Sequence, residues 1–474
     1  MQQHSSLRAT ALFEFRFAKL SDGRYVEQDG PRGSRVLGEQ EATWLANAEQ
    51  QGELRLSVLR VVRRWCPLDG AVMVGAQGEA WCYLVAPERV WRHPNGGVKV
   101  QGLPGGALGV WVEDGIVPAG AFQGVLEVGD RALLPQVLQE VLPLPPGQKE
   151  GASLFLAAYL LSVPLRHLVP TAPLALFKGP PGSGKTTLAR ALGLLLLGPG
   201  FEVTVGSALD RDPRDLPALL GDRLLVALDN LEGKVGQKFL DILASMATGG
   251  AYEARMLYTD AKTVRVVSQA RIVVTAIAPP LDRGDVADRC WVLEFPPLEG
   301  YRSSRTLLET ALARRGEVWR ALLHDLALVL RHAGELREAK EPARWVEFSR
   351  LGRIEARSLG QEELWDRMLS EQRLSQARLA LADDGYYAAV REALEMNPVG
   401  ELRGTAGELA QALGVRSGRF LARWFANNTH QLRELGVDVG VEEDAHRCQK
   451  VYTLRLVRVA PPQGEGQRQA ETVS

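Results

Sequence analysis

The sequence predicts an α/β fold built on a parallel sheet. A mixed, strand-rich N-terminal domain precedes it, and a helical region and a helix–turn–helix unit with a wing follow. Three observations predict this. Beyond a Pro-rich stretch at 141–147, long apolar runs alternate with helical patterns as far as residue 298, as strand–helix–strand units do. One run leads into Gly179-Pro180-Pro181-Gly182-Ser183-Gly184-Lys185-Thr186, a full G-x-x-x-x-G-K-[ST] match. Residues 403–458 read as two helices and then two strands.

Composition bounds the function. At 474 residues the chain is long enough for two to four domains. Hydrophobic residues at 46% and charged residues at 24% exclude a mostly disordered chain. A formal net charge of -1 excludes a polybasic protein that coats nucleic acid, though not a local basic surface. Cys66, Cys82, Cys290 and Cys448 form no C-x-x-C pair, so neither a zinc site nor a disulfide framework is indicated. The polar stretch Met1–Thr10 has no apolar signal core. The longest apolar run, Ala152–Val163, stops at Pro164 and reads as a buried helix too short for a bilayer. The expected setting is soluble, reducing and cytoplasmic, with no membrane partner.

The elements follow in order. Residues 1–145 form the expected N-terminal domain, with a partly alternating run at Leu12–Phe17, short apolar runs at Ala71–Val74 and Trp81–Val85, and a helix over Glu39–Gln51. Val141–Gly147 reads as a linker. Residues 146–300 form the α/β core, in which Leu174–Phe177 is the strand before the Gly-rich loop and Thr187–Leu197 the helix after it. Glycines let successive N–H groups converge on phosphates, and the helix N-terminus adds partial positive charge. Gly179, Pro180, Pro181, Gly182, Ser183, Gly184, Lys185, Thr186 and Thr187 are therefore the expected nucleotide-binding set. Lys185 is placed for the β- and γ-phosphates of ATP, and Thr186 for Mg²⁺. A bare Gly-rich turn is the bland alternative, disfavoured by the full match between a strand and a helix.

The apolar run Leu224–Asp229 reads as a central strand that sets Asp229 beside the loop, there to hold the metal. Asn230 comes next. An amide orients water but takes no proton from it, so the general base stays open, with Glu232 close by in sequence. A hairpin over Tyr258–Val267, turning near Asp260-Ala261, would set Lys262 at its tip and Arg255 and Arg265 along its arms. That arrangement suits a phosphate backbone, although a solvated surface hairpin fits these residues equally. Thr275 ends the apolar run Arg271–Thr275, where it would sense the γ-phosphate or position water. Arg289 follows Asp282–Asp288 and precedes a strand at Trp291–Phe295. It is placed to reach a neighbouring subunit's nucleotide, and an ion pair with Asp285 or Asp288 is the competing reading.

Residues 301–400 read as a helical lid and connector, and 401–460 as the C-terminal unit, with a polar tail at 461–474. Thr405 caps a short helix ending at Gly414, and Ser417–Leu435 is a longer helix. Phe420, Leu421, Trp424, Phe425 and Leu432 form its expected apolar face, leaving Arg419, Arg423 and Asn427 on the surface. Val437–Val441 and Gln449–Val457 are the expected wing, with Glu442, Glu443 and Asp444 in its loop. Such a unit reads DNA through its second helix, and a protein-contact module is the alternative.

Together these motifs resemble AAA+ P-loop NTPases of the superfamily 3 helicase type, in particular phage, plasmid and integrated-element replication proteins with a C-terminal winged helix. The resemblance spans residues 90–458. It rests on the loop at 179–186, Leu228-Asp229-Asn230-Leu231, Ala247-Thr248-Gly249-Gly250, Arg255 with Leu257-Tyr258-Thr259-Asp260, Arg283-x-Asp285-x-x-Asp288-Arg289, and Arg344-Trp345-Val346-Glu347-Phe348. Similar proteins share the Asp-Asn pair but usually carry Asn where this chain has Thr275. The resemblance implies ATP and Mg²⁺, a homo-oligomeric ring of six, single-stranded or forked DNA, and priming by a separate primase or polymerase. It points to an ATP-dependent helicase or translocase in replication. An ATP-controlled DNA-binding switch (an initiator, loader or defence-complex ATPase) is the second reading. A small-molecule kinase leaves the C-terminal unit without a role.

Overall fold

The computed structural model describes residues 125–457 apart from 166–167, 207–223 (where Leu216 and Leu220 are described), 234, 248–249, 256–262, 268–269, 301–302, 338–339, 382–383 and 445–448; ahead of 125 it describes eight strands with Gln40 and Thr43. Strands β1 (Phe17–Leu20), β2 (Tyr25–Asp29), β3 (Gly33–Val36) and β4 (Ser57–Leu59) form one sheet in the order β3-β2-β1-β4. Strands β5 (Cys66–Leu68), β6 (Ala71–Gly75), β7 (Trp81–Val85), β8 (Arg89–Pro94) and β9 (Val125–Glu127) form an antiparallel meander. The apolar runs at 71–74 and 81–85 are thus the paired strands β6 and β7. The run at 12–16 and most of 39–51 lie outside the described residues.

Helix α1 (Leu134–Val141) begins where Asp325 accepts hydrogen bonds from the Leu133 N–H at 2.9 Å and the Leu134 N–H at 2.6 Å. A carboxylate there satisfies donors that a helix start leaves unpaired. The expected linker is instead a packed wall. Val141, Leu142 and Leu144 are buried, because the prolines stop the helix while the apolar side chains between them still favour burial. Helix α2 (Lys149–Ser162) is buried at every position from Ala152 to Ser162, as its unbroken apolar run requires.

The central sheet holds β10 (Leu174–Lys178), β11 (Thr204–Val205), β12 (Leu225–Asp229), β15 (Arg271–Ala276) and β16 (Cys290–Glu294), all parallel, in the order β11-β12-β15-β10-β16. Between β12 and β15 run β13 (Ala251–Arg255) and β14 (Thr263–Val267), an antiparallel pair. The hairpin arms are therefore 251–255 and 263–267, not 258–267, because pairing begins at Ala251. Helices α3 (Lys185–Leu197), α4 (Gln237–Ala247) and α5 (Gly284–Ala287) complete the core. Successive residues of β10 serve opposite sides: Ala175 and Phe177 join a cluster with α1, α2 and α3, while Leu174 and Leu176 join one with α4. Both faces are covered, as a parallel sheet demands. The expected AAA+-type α/β architecture is present.

Helices α6 (Ser304–Ala313), α7 (Arg315–Leu330), α8 (Ala333–Arg337), α9 (Val346–Leu359), α10 (Glu362–Leu381) and α11 (Gly385–Met396) fill the expected helical region. Trp291 of β16 anchors them, stacking on Phe155 at 4.4 Å and Trp365 at 5.3 Å between centroids. Among the described residues no helix is long and apolar enough to cross a membrane.

The C-terminal unit comprises β17 (Glu401–Thr405), α12 (Ala406–Ala412), α13 (Gly418–Glu434), β18 (Val437–Asp444) and β19 (Gln449–Leu456), with sheet order β17-β19-β18. Thr405 and Glu408 form a capping box, so the expected cap is present. Three details differ from expectation. β17 adds a third strand. Glu442, Glu443 and Asp444 lie within β18 rather than in the loop. Phe420 is 64% exposed: the buried stripe is Leu421, Phe425 and Leu432, at i, i+4 and i+11, and Phe420 falls one step outside it.

Candidate nucleotide-binding site

The loop between β10 and α3 requires its glycines. A Cβ on Gly179 would sit 2.3 Å from the Phe295 carbonyl oxygen, and Gly182 and Gly184 have φ of 74° and 92°, left-handed values that favour glycine. Helix α3 then starts at Lys185, so its first N–H groups lack intrahelical partners, as at any helix start. Lys185 is 8% exposed. Its ammonium donates to the Gly179 and Pro180 carbonyls, both at 2.7 Å, and to Ser183 Oγ at 3.3 Å. Burial lowers its pKa, while the Glu232 and Asp229 carboxylates pull it back up.

Beside the loop, Asp229 Oδ1 accepts hydrogen bonds from the Thr186 and Thr275 hydroxyls, each at 2.7 Å. Thr275 Oγ1 in turn accepts from the Asn230 N–H at 3.0 Å. The structure therefore sets Thr275, 1% exposed, against Asp229 with its hydroxyl engaged on both sides. Asn230 itself is exposed and has φ of 55°, a left-handed conformation that Asn tolerates. That turn sends the Leu231 N–H to the Thr275 carbonyl at 3.0 Å. It also brings the Glu232 carboxylate onto the Ile277 N–H and the Ala278 N–H, the latter at 3.1 Å.

Above the loop lies a cleft of about 990 Å³, floored by Gly182–Thr187 and walled by Leu142–Pro146 on one side and Leu298 with Leu307 of α6 on the other. This size, with apolar walls above a polar floor, suits a nucleoside held over a phosphate cradle. Arg314, between α6 and α7, bonds Glu140 of α1 at 2.8 Å across the rim. Sequence reading missed these walls because no motif marks them; the cue present was the apolar content of the Pro-rich stretch.

Arg289 lies at the other edge of the sheet. Leu174 pairs with Cys290 and Lys178 with Glu294, so Arg289 and the loop are separated by the strand length, about 17 Å at ~3.3 Å per residue. Its Nη1 donates to the Asp285 carbonyl and lies 3.7 Å from the Asp285 carboxylate. Burial, reinforced by neighbouring Arg344, lowers its pKa. Asp288, alongside, accepts from Gln431 Nε2 of α13 at 3.3 Å. Arg283 is engaged by Asp285 at 2.5 Å and Asp241 at 2.6 Å.

Of the expected nucleic-acid contacts, Arg255 pairs in register with Thr263 and Arg265 with Glu253, while Lys262 lies outside the described residues. Arg419, Arg423 and Asn427 are exposed on α13. Among the described residues the side chains of Arg416, Arg419 and Arg423 make no hydrogen bond or ion pair, as is also true of the exposed Arg131, Arg190, Arg320, Arg337, Arg367 and Arg378.

Comparison with known families decides what the loop and its surroundings resemble. Residues 148–343 match the model of the actinomycete integrative conjugative element replication protein. The expected resemblance to replication proteins of integrated elements is borne out over that stretch. No curated protein matches the chain. Among solved structures, the A form apo structure of the NrS-1 C-terminal region aligns over 95% of this chain and 99% of that one, at 13% identity and TM-score 0.38. JCV helicase bound to a small molecule aligns over 53% and 66%, at 22% identity and TM-score 0.24. The Aeropyrum pernix ORC2 protein aligns over 68% and 92%, at 17% identity and TM-score 0.15. These likenesses are remote, and the fold rests on the sheet order and the loop described above.

Proposed function

We propose that the chain is an ATP-dependent DNA helicase or translocase that works as a homo-oligomeric, hexameric ring in replication of a mobile element. The observation that carries this reading is the complete phosphate loop with Thr186 hydrogen-bonded to Asp229 at 2.7 Å. Two hard oxygen donors at this spacing fit Mg²⁺, with phosphates and water supplying the remaining positions. The ion would neutralise charge on the β- and γ-phosphates. Lys185 leaves its loop carbonyls for those phosphates, Gly182–Thr187 supply N–H donors, Thr275 holds Asp229, and Asn230 orients water. Arg289, at the far edge of the sheet, acts on a neighbour's nucleotide. Residues 146–300 form the ATPase core, 301–400 the lid and connector, and 401–460 the DNA-binding winged helix. Arg255, Lys262 and Arg265 grip the strand, and Arg419, Arg423 and Asn427 contact duplex DNA. Priming comes from a separate primase or polymerase.

A second reading, an ATP-controlled DNA-binding switch, is favoured by Asn230, because slow turnover suits a switch. The deciding measurement is ATPase rate with and without single-stranded DNA, together with unwinding of a forked duplex. Stimulation with unwinding supports the motor. Neither, with nucleotide-dependent binding to a specific duplex, replaces it with the switch.

A further inference from the structure

The site has a phosphate cradle, a metal-binding pair and an orienting hydroxyl, but residue 230 cannot accept a proton. We infer that Glu232 is the general base that takes the proton from the water attacking the γ-phosphate. This rests on the ATPase reading above.

The geometry runs through the left-handed turn at Asn230. By folding the chain back onto β15, the turn delivers Glu232 to the carboxyl end of that strand. β15 lies between β12 and β10, the strands that carry Asp229 and the phosphate loop. Ligands of open parallel sheets bind beyond these strand ends. The Ile277 and Ala278 N–H groups hold the Glu232 carboxylate, and a base oriented by a further group is the usual catalytic arrangement. Two donors use about half of a carboxylate's lone-pair sites, leaving the rest for a proton. The Glu232 and Asp229 carboxylates both raise the proton affinity of the Lys185 ammonium against its burial. Asp229 is already committed to two hydroxyls. The other carboxylate at this edge, Glu294, is exposed at the end of β16.

In the step, an O–H bond of water breaks and its proton passes to the Glu232 carboxylate. The water oxygen bonds the γ-phosphorus as the bond from that phosphorus to the β–γ bridging oxygen breaks. The electron pair leaves with ADP, and Glu232, partly exposed, returns the proton to solvent.

The test compares the full-length wild type with Glu232→Gln and Glu294→Gln. It measures binding of a fluorescent non-hydrolysable ATP analogue, ATP turnover against pH, and turnover of Glu232→Ala with added formate. Glu232→Gln is expected to bind the analogue within about threefold of wild type while kcat falls roughly 10²–10³-fold and the acidic limb of the rate profile disappears. Glu294→Gln keeps wild-type turnover, and formate partly restores Glu232→Ala. Turnover of Glu232→Gln within threefold of wild type overturns the assignment. So does a loss that keeps the acidic limb, or loss of binding in both Glu232 variants without formate rescue; each means Glu232 only braces the 277–278 backbone. A wild type that binds the analogue but never hydrolyses ATP fails the ATPase reading itself.

Discussion

At Asp229 two hydroxyls converge on one carboxylate oxygen, and the nearby backbone N–H of Asn230 is satisfied by one of them. Thr275→Val keeps the shape but strips a donor from Asp229 and strands that N–H. Stability should fall by about 1–3 kcal/mol, read by denaturant unfolding, with a parallel loss of ATP turnover. Lys185→Ala should weaken binding of an ATP analogue at least tenfold, by titration, without unfolding the chain; undiminished binding contradicts the nucleotide assignment. Cys290 is buried and its thiol is pushed up to about 12 by that burial. It should resist alkylation at pH 8 in the native protein and react only after denaturation, by peptide mass spectrometry. The loop was legible in sequence because its chemistry is local, eight contiguous residues with a fixed spacing. Thr275 was legible as a strand-end polar residue, yet its partner depends on the register of β12 against β15, which no local pattern encodes.

Among the elements, α7 and α9 place Asp325 and Glu355 side by side out of water, with His324 hydrogen-bonded to Asp325 at 2.7 Å. Burial, and then the neighbouring Asp325, hold the Glu355 carboxyl well above its ordinary value of 4.5. The native state therefore keeps a proton that the unfolded chain releases near that value. Stability from this group is complete below the unfolded value and is lost as pH rises through the folded one. Glu355→Gln, neutral and similar in shape, should flatten that decline in a series of denaturant midpoints from acid to neutral pH; an unchanged slope refutes the protonated assignment. Helix and strand identities followed from apolar runs and their lengths, as α2 and β12 illustrate. Where an element packs was less legible. Leu142 and Leu144 wall the cleft through contacts far away in sequence, and Phe420 misses the buried stripe of α13 by a single residue.

Over the whole molecule, the near-zero net charge conceals an uneven distribution. Among the described residues Arg419 and Arg423 are exposed on one helix with no acid paired to either, and Arg416 is exposed just ahead of it. Arg419→Ala and Arg423→Ala should each weaken DNA binding at all sequences and reduce the slope of log affinity against log salt by about one, by fluorescence anisotropy. Unchanged slopes would assign the helix to a protein partner. The assembly expected from the family resemblance was not legible in residue patterns alone, because it depends on surfaces meeting a second copy. Helix α13 carries one last consequence. Its 17 residues span about 25 Å, with the free arginines toward one end and Gln431, bonded to the neighbour of Arg289, toward the other. A stiff rod of that length is a lever: tilting it by about 5° carries its far tip about 2 Å, enough to part the 3.3 Å bond to Asp288. The exposed arginines and the bond to Asp288 thus sit on one rigid element, so a displacement at either end is carried to the other.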